Sequence, residues 1–471
     1  MKKCVLVLAS LAMFASVLFA ATVAPAGAQG IYVVTSSDGS GSGPGTIRDA
    51  LESGQTTIVI DDAVGTIFID APLVYDGTEA LRVYGNGVTI DGDGLEDTLL
   101  EISEGVDLAL FGITFDDGGG YSLGAEVGTA GVHVIVPSGV TGTVDVTLNG
   151  VTVRGVGGHG IWIDDNDGSS ASVHVSATGV LVEDVGFGEF DRDGIRVDET
   201  GDGDITFTSR WSNFIGVGAD GVELDERGAG SVFFDVLASN FNDNGDYCIG
   251  VDPENPSGSE EAECVEDDEL DLDDGFDIDE ADGGAISGTV RYSSADDNYD
   301  EGFDFDEAGS EGIDVSFTGV TANGNIDEGI KASEEDGGSL VASLRNTQVL
   351  NGQDNDGVEF EELGDGDLDV EARRLVSTGH DSSGLKLVEE DQGTLTADVR
   401  FSTLAGNGED GLELEEVDDG DLTANVRWSN LAGNSDYGIQ AEAGGASGTV
   451  TTTFVTLAGN GAGATDFTNI S

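Results

Sequence analysis

The chain has 471 residues, with 93 acidic against 17 basic side chains and a formal net charge of -76 at pH 7. A surface this negative repels phosphate backbones, which excludes nucleic acid as a partner. After residue 28 no stretch offers the roughly 18 apolar residues of a membrane-spanning helix, so we expect no transmembrane segment.

Residues 1–28 are predicted to be a secretory signal peptide. Lys2 and Lys3 precede an apolar stretch from Cys4 to Ala20, and small residues end at Ala26-Gly27-Ala28. This order of charged, apolar and small residues is typical of a cleaved export signal. We therefore expect a secreted protein that is extracellular or held at the cell surface.

Residues 29–150 are expected to form an N-terminal cap and the first, irregular coils. The segment Gly45 to Leu51 reads GTIRDAL, and short strand patterns follow at Thr57 to Ile60 and Thr66 to Ile69. This opening resembles that of secreted bacterial right-handed parallel β-helix proteins of the pectate-lyase-like solenoid superfamily. The resemblance implies a short helix over Ile47 to Leu51 that covers the first coil. It implies fold and export but no chemistry, because this architecture hosts enzymes, adhesins and inert stalks alike.

From residue 151 to residue 471 one motif recurs with a period of 27 residues. An acidic residue and an anchor glycine precede an apolar-x-apolar triplet that ends in two carboxylates, as in DGVELDE at Asp220 and DGLELEE at Asp410. Such a period predicts stacked, nearly identical units. In one unit Cys248 takes the place of the glycine. The anchor glycines are Gly194, Gly221, Gly275, Gly302, Gly329, Gly357, Gly384, Gly411 and Gly438.

Within each unit the apolar residues alternate with polar ones, which indicates strands rather than helices. Strand, turn, strand, turn over 27 residues predicts one coil of an all-β, right-handed parallel β-helix. Four residues before the anchor, one column repeats asparagine, and His380 occupies the same position in its unit. Asparagines in register can bond from turn to turn, so this column predicts a ladder. Its members are Asn244, Asn298, Asn325, Asn407 and Asn434.

The two carboxylates that close each motif are the main candidates for function. We expect both to stand on one exposed ridge, where like charges in neighbouring coils repel. Paired carboxylates beside Asp-Gly turns can supply the six to eight oxygens of a Ca²⁺ site. The alternative, which is compatible, is a solvated surface adapted to high salt, where ions screen the repulsion. The predicted ligands are Asp198, Glu199, Asp225, Glu226, Asp279, Glu280, Asp306, Glu307, Glu361, Glu362, Glu415 and Glu416.

Basic residues compensate this charge only in part. Two residues after the anchor, successive units read Asp304, Lys331, Glu359, Lys386 and Glu413, an alternating ladder. A column of arginines stands sixteen residues after the anchor, and aromatic residues follow it directly in several units. Their phase after an outward arginine predicts that the aromatic side chains point into the core, with an exposed sugar platform as the alternative. The aromatic residues are Trp211, Tyr292, Phe401 and Trp428.

Cys248 and Cys264 flank an irregular segment with two of the chain's six prolines. In an oxidising compartment two such cysteines predict a disulfide. A metal thiolate site needs more ligands than the segment offers, and a catalytic thiol lacks a nearby histidine.

Catalytic candidates are weak. Gly158-His159-Gly160 with Asp164 and Asp165 resembles fragments of polygalacturonase motifs, but the acidic pair follows the histidine instead of preceding it, and no Arg-Ile-Lys element occurs. No unit gathers different catalytic residue types, so we expect no enzyme. The alternative is a polysaccharide lyase or hydrolase of the pectate-lyase-like fold.

The sequence thus predicts a secreted acidic β-helix that serves as a surface or matrix structural or binding protein. Its expected partners are cations, together with surface glycans or further copies of itself stacked end to end, because the ends of a solenoid are strand edges.

Overall fold

The computed structural model describes residues 30–118, 130–166, 168–253, 256, 258–266, 269–270, 272–418, 420–445 and 447–470. The predicted signal peptide lies outside these ranges. Within them, nearly every strand pairs in parallel with strands one coil away, as the 27-residue period predicts.

One sheet, here called the motif sheet, carries the repeated acidic motif. Neighbouring strands in it are joined in register, so that Ile195 pairs with Val222 and Phe276 with Phe303. Each motif therefore lies directly against its copies. In the described residues the strands of the motif sheet are Leu73–Tyr75, Leu100–Ile102, Ala130–Ile135, His159–Asp165, Ile195–Glu199, Val222–Gly228, Phe276–Asp282, Phe303–Ala308, Ile330–Glu334, Val358–Glu362, Leu385–Glu389, Leu412–Glu416, Tyr437–Ala443 and Gly463–Thr468.

A large sheet and a small sheet close the other faces of the solenoid. The large sheet comprises Ile31–Val34, Thr57–Ile60, Thr66–Phe68, Leu81–Asp91, Leu108–Gly118, Thr141–Asn149, Thr152–Val156, Ser170–Thr178, Leu181–Val185, Ile205–Arg210, Asn213–Val217, Val232–Leu237, Asn240–Asn242, Ala285–Arg291, Gly312–Thr318, Leu340–Arg345, Leu368–Arg373, Thr394–Arg400, Asp421–Arg427 and Ser447–Thr453. The small sheet comprises Thr321–Asn323, Gln348–Leu350, Val376–Thr378 and Thr403–Leu404.

The core is a column of apolar side chains from the inner faces of these sheets. In the middle coils it is aromatic, with Phe276, Phe303 and Phe305 fully buried. The rings of Phe276 and Phe305 meet edge to face at 5.7 Å, one of the favoured aromatic arrangements. The apolar pair of the motif is therefore core, as the sequence predicts.

A helix at Ile47–Glu52 covers the first coil, close to the span implied by the N-terminal resemblance. The hydroxyl of Thr46 caps it by accepting from the N–H of Asp49, and Ile47, Ala50 and Leu51 are buried. A capped amphipathic turn of this kind shields the apolar end of the solenoid from water.

The asparagine ladder is confirmed. Oδ1 of Asn298 accepts from Nδ2 of Asn244 at 3.0 Å, and Oδ1 of Asn325 accepts from Nδ2 of Asn298 at 3.2 Å. The backbone N–H of His380 donates to Oδ1 of Asn407 at 3.4 Å, so the histidine stands in the ladder position. These bonds satisfy amides that the stacked turns bury.

The unit at Cys248 is not a coil, and that part of the sequence prediction is wrong. Val222 pairs directly with Phe276, so the motif sheet passes from one anchor to the next without a strand between them. The segment between residues 246 and 273 is an insertion that holds the helix Ser259–Glu263 and an antiparallel pair, Val265–Glu266 with Glu269–Leu270. The predicted disulfide between Cys248 and Cys264 is present and lies in a small apolar cluster beside Tyr247 and Val251.

No helix among the described residues is long and apolar enough to cross a membrane.

Candidate cation site on the motif sheet

The motif strand has two faces, and alternation assigns each residue to one of them. In Phe276–Asp282 the side chains of Phe276, Ile278 and Glu280 are buried in the solenoid, whereas Asp277 and Asp279 lie on the outer face. Side chains of a strand point alternately to opposite faces. The two closing carboxylates of the motif are therefore separated by the sheet.

This placement corrects the predicted ridge. Of the twelve predicted ligands, the six aspartates and glutamates in the first position are on the outer face, and the six glutamates in the second position point inward. The inward column has the same phase as the apolar pair, so the signal was present in the sequence. All members of the inward column are buried: Glu199, Glu226, Glu280, Glu307, Glu334, Glu362, Glu389 and Glu416.

The inward glutamates bind the turn that follows each motif strand. Oε1 of Glu280, Glu334 and Glu416 each accepts the N–H of the glycine four residues later at 2.7 Å. Glu226 and Glu280 are direct neighbours in the register, so their carboxyl groups face each other. The column is a glutamate ladder that helps to hold the turns.

Burial favours the protonated form in members of the glutamate ladder. Burial, followed by hydrogen bonds to neighbouring carboxyl groups, raises the pKa of Glu226 and of Glu307 to about 9. A protonated carboxyl can donate to an ionised neighbour, which removes the repulsion between stacked charges. Protons shared in this way explain how neighbouring carboxyl groups can be stacked in the interior of the solenoid.

The outer face carries a second ladder, two residues after each anchor. From the N-terminal end it begins with His133, Trp162 and Arg196 and continues into carboxylates and lysines. Each member pairs with the next or contacts it across the coil boundary. The outer ladder is His133, Trp162, Arg196, Glu223, Asp277, Asp304, Lys331, Glu359, Lys386, Glu413, Gln440 and Asp466.

Arg196 neutralises the carboxylates at the start of the acidic stretch. Its guanidinium contacts Asp198 at 2.7 Å, Asp191 at 3.2 Å and Asp225 at 3.3 Å, and it also contacts Asp193 and Glu223. One partly buried arginine thus contacts carboxylates from two coils. This cluster was not predicted from the sequence, because the acidic residue before the anchor glycine was not assigned to a site.

Each lysine of the repeat region likewise neutralises carboxylates, in coils further along the chain. Nζ of Lys331 lies 2.9 Å from Asp304 and 3.0 Å from Glu301. Nζ of Lys386 contacts Glu359. The predicted alternating ladder is confirmed at these contacts, and each ammonium occupies the centre of a carboxylate cluster, where a bound cation would lie.

Between Arg196 and Lys331 the ladder positions hold only carboxylates, of which Glu223 contacts Arg196 and Asp304 contacts Lys331. Candidate ligand oxygens of Glu223, Asp277 and Asp279 lie within 4.8 Å of one another. Burial, followed by the charges of Asp279 and Asp220, raises the pKa of Asp277 well above its ordinary value. We call Glu223, Asp277 and Asp279 the acidic triad.

The next coil adds unsatisfied oxygens beside the acidic triad. Asp277 pairs with Asp304 and Asp279 with Asp306 in the register. Oδ1 of Asp304 and Oδ1 of Asp306 are buried and have no hydrogen-bond partner among the described residues, and Asp304 is only 7% exposed. Buried oxygens without donors are costly unless a cation or proton satisfies them. Chemically, the arrangement is a set of hard oxygen donors in which Glu223 and Asp304 contact a base and the other carboxylates form no ion pair among the described residues.

The insertion borders this region. The N–H of Tyr247 donates to the carbonyl of Gly218, and the N–H of Asp300 donates to the carbonyl of Asp273, so both ends of the insertion join the corner from which the motif strands start. Asp220 and Asp274, the acidic residues of that corner, are buried. The irregular unit thus lies next to the uncompensated carboxylates.

A cluster of mixed side chains stands at the N-terminal end of the outer ladder. Nε2 of His133 lies 3.3 Å from Oδ2 of Asp164, and its ring stacks on Trp162 at 4.3 Å. Nε1 of Trp162 donates to Asp198 at 2.5 Å. These side chains belong to three successive coils, so stacking brings together residue types that no single unit contains.

The three weak catalytic candidates do not form one group. His159 is buried, with Nδ1 3.2 Å from Asp193 and Nε2 3.1 Å from Arg192. Burial lowers the pKa of His159, and the backbone N–H of Asp193 donates to its Nδ1 at 3.1 Å. Asp165 points inward at the head of the glutamate ladder and binds Ser169, whereas Asp164 is on the outer face.

No protein-family model and no curated protein matches the chain. Among solved structures, the A-module of the mannuronan C-5 epimerase AlgE4 from Azotobacter vinelandii is 14% identical, with a TM-score of 0.38 over 91% of this chain and 95% of that one. GH136 lacto-N-biosidase from Eubacterium ramulus is 13% identical, with a TM-score of 0.40 over 79% and 65% of the two chains. The periplasmic alginate epimerase AlgG is 11% identical, with a TM-score of 0.37 over 85% and 78%. The chain is a parallel β-solenoid by its own strand register, and the pectate-lyase-like architecture fits that register.

Proposed function

We propose that the protein is an extracellular β-helix that acts as a structural or binding rod, and that divalent cations, Ca²⁺ above all, bind the outer face of its motif sheet. The acidic triad carries this proposal. In it three carboxyl groups of the described motif sheet converge, and only Glu223 contacts a base, Arg196, whereas Asp277 and Asp279 form no ion pair among the described residues.

The donor set favours calcium. All the candidate atoms are carboxylate oxygens, and Asp304 and Asp306 add two oxygens that lack partners. Ca²⁺ takes six to eight oxygens in flexible geometry, whereas Mg²⁺ requires a stricter octahedron and retains water. Arg196 and Lys331 flank the triad on its two sides, so we expect a local site rather than an ion layer along the whole sheet.

High salt and specific binding are compatible. Any salt screens a chain of net charge -76 and lowers the repulsion between its exposed carboxylates. A divalent ion at the triad would add stability that monovalent salt cannot supply, since binding to the folded state alone stabilises it.

The test is a paired thermal titration. We expect millimolar CaCl₂ to raise the melting temperature by several degrees more than NaCl of equal ionic strength. The double variant Asp277→Asn, Asp279→Asn should lose this calcium-specific part. The control is Asp314→Asn, which removes an exposed aspartate on the large sheet.

Equal effects of the two salts on the wild type would contradict the proposal and leave screening alone. The same conclusion would follow if the double variant retained the full calcium effect. Because the triad's carboxyl groups must release protons to bind the ion, the calcium effect should also be smaller at pH 5 than at pH 8.

A second candidate function is carbohydrate cleavage at the mixed cluster of His133, Trp162 and Asp164. The observation that favours it is a histidine and a carboxylate in contact on an outer face, beside an aromatic ring that could stack on a sugar. Assays on neutral and acidic polysaccharides test it. Turnover that is lost in both Asp164→Asn and His133→Ala would favour an enzyme over the rod.

A further inference from the structure

An exposed stack of aromatic rings runs along one corner of the solenoid, near its C-terminal end. Phe401 and Trp428 stack at 5.0 Å between ring centroids with 8° between their planes, and Trp428 and Phe454 stack at 6.4 Å with 12°. The three side chains are 48%, 47% and 78% exposed. The sequence expectation that the aromatic residues after the arginine column point inward is therefore wrong. We call these three residues the aromatic corner.

The backbone explains why these side chains point outward. The corner residue adopts left-handed geometry in each coil, with φ of 56°, 51° and 56° at Phe401, Trp428 and Phe454. This turn reverses the phase of the strand, so the residue after an outward arginine is also outward. The sequence prediction extended the strand alternation one residue too far.

An aromatic residue in this position lowers the stability of the folded state. Left-handed geometry disfavours every side chain with a Cβ by about 1–2 kcal/mol, and other coils place Gly319 or Asn346 at the same corner. Exposing large apolar rings to water adds to that cost. Strain and exposure retained together in three successive coils indicate a role other than stability.

The ring geometry leaves surface for a ligand. Centroid separations of 5.0 and 6.4 Å belong to offset stacking. Offset rings cover one another only partly, which agrees with exposed fractions near one half or above. Successive coils are about 4.8 Å apart, a spacing close to the length of one sugar unit in an extended chain.

The charge around the aromatic corner differs from that of the rest of the surface. The strands that lead to Trp428 and Phe454 present Thr423, Asn425 and Thr451 outward. The nearby guanidinium groups of Arg400 and Arg427 both pair with Asp398, at 3.2 and 2.9 Å, and Arg400 also contacts Glu371. On a chain of net charge -76, this face thus pairs its arginines with carboxylates and presents hydroxyl and amide groups beside them.

We infer that the aromatic corner is a binding site for a neutral glycan chain. The exposed edges of the stacked rings would pack against the apolar faces of sugar rings, and the threonine hydroxyls and Asn425 amide would bond to the sugar hydroxyls. A neutral polyhydroxyl ligand matches a patch that offers apolar faces and neutral donors. The site is separate from the acidic triad and does not depend on cation binding.

Affinity electrophoresis through gels that contain hydroxyethylcellulose, laminarin or galactomannan tests the inference, with alginate as an anionic comparison. We expect at least one neutral polysaccharide to retard the wild type. Trp428→Gly should weaken that binding at least tenfold without lowering the melting temperature, because glycine adopts the left-handed corner without strain. Trp428→Asn provides a second substitution that tolerates this geometry.

The matched control is Trp211→Gly. Trp211 occupies the same left-handed corner position and is 61% exposed, but Ala238 follows it in the next coil, so it has no aromatic neighbour there. This variant should bind as the wild type does. Retention of binding in both Trp428 variants, no retardation by any neutral polysaccharide, or retardation by alginate alone would overturn the inference.

Discussion

At the residue scale, a step of one position along a strand decides whether a carboxyl group is structural or available to ligands. Glu415 lies on the outer face and Glu416 inside the solenoid, although both carboxyl groups belong to one motif. The sequence predicted the type and period of these residues correctly. It did not predict their separation, because charge alone suggested exposure and was given more weight than the phase of the strand.

The glutamate ladder predicts an unusual dependence of stability on pH. With folded pKa values of about 9 against an ordinary 4.5, Glu226 and Glu307 hold protons that the unfolded chain releases. Between these pH values the folded state binds more protons than the unfolded state, so stability falls as pH rises from about 4.5 to about 9. We expect the melting temperature to fall over this range, and Glu226→Gln to make the fall shallower.

Glu415→Gln is the control for this prediction, since it removes an outer carboxyl group from the same repeated motif. Thermal melts from pH 4.5 to pH 9 at constant high salt measure both variants. A melting temperature that rises with pH, or equal slopes for the wild type and Glu226→Gln, would show that the ladder is not protonated.

At the element scale, the coils stack so closely that the anchor position admits only glycine. A Cβ on Gly275 would lie 2.5 Å from the carbonyl oxygen of Gly302, and one on Gly302 would lie 2.6 Å from that of Gly329. The period, the strands, the anchor glycines and the asparagine ladder were all predictable, because each follows from one residue repeated in register.

The insertion was not predicted, because its length imitates a coil. Gly221 and Gly275 are two periods apart, which placed Cys248 at an anchor position. Pro253 and the absence of an alternating run after Cys248 were the contrary signals. A spacing that fits the period does not define a coil unless both strand patterns accompany it.

Close stacking predicts the effect of Gly302→Ala. The added methyl group would press against the Gly329 carbonyl and Nδ2 of Asn325, which lies 2.5 Å from the Cβ position. We expect a loss of about 1–3 kcal/mol in the free energy of unfolding, the usual range for overpacking. Denaturant titration at high salt measures it.

The control is Gly337→Ala, since a Cβ at that glycine meets no atom within 4 Å. It should change the free energy of unfolding by less than about 0.5 kcal/mol, as surface substitutions usually do. Equal losses in the two variants would contradict the role assigned to the anchor glycines.

At the scale of the whole molecule, the motif sheet carries carboxyl groups on both of its faces. Inside, protons reduce the charge of the glutamate ladder. Outside, Arg196, Lys331 and Lys386 neutralise clusters of carboxylates, whereas Asp277 and Asp279 of the acidic triad form no ion pair among the described residues. The sequence could show the columns, but not which coils a single guanidinium would join.

The most direct test of the central claim is a crystal structure of the wild type grown with calcium in high salt. We predict an ion between Glu223, Asp277 and Asp279, with carboxylate oxygens at the 2.3–2.6 Å typical of Ca²⁺. An anomalous difference map would identify the ion. An acidic triad that contains no ion at millimolar calcium, with its carboxyl groups in contact with one another, would contradict the account.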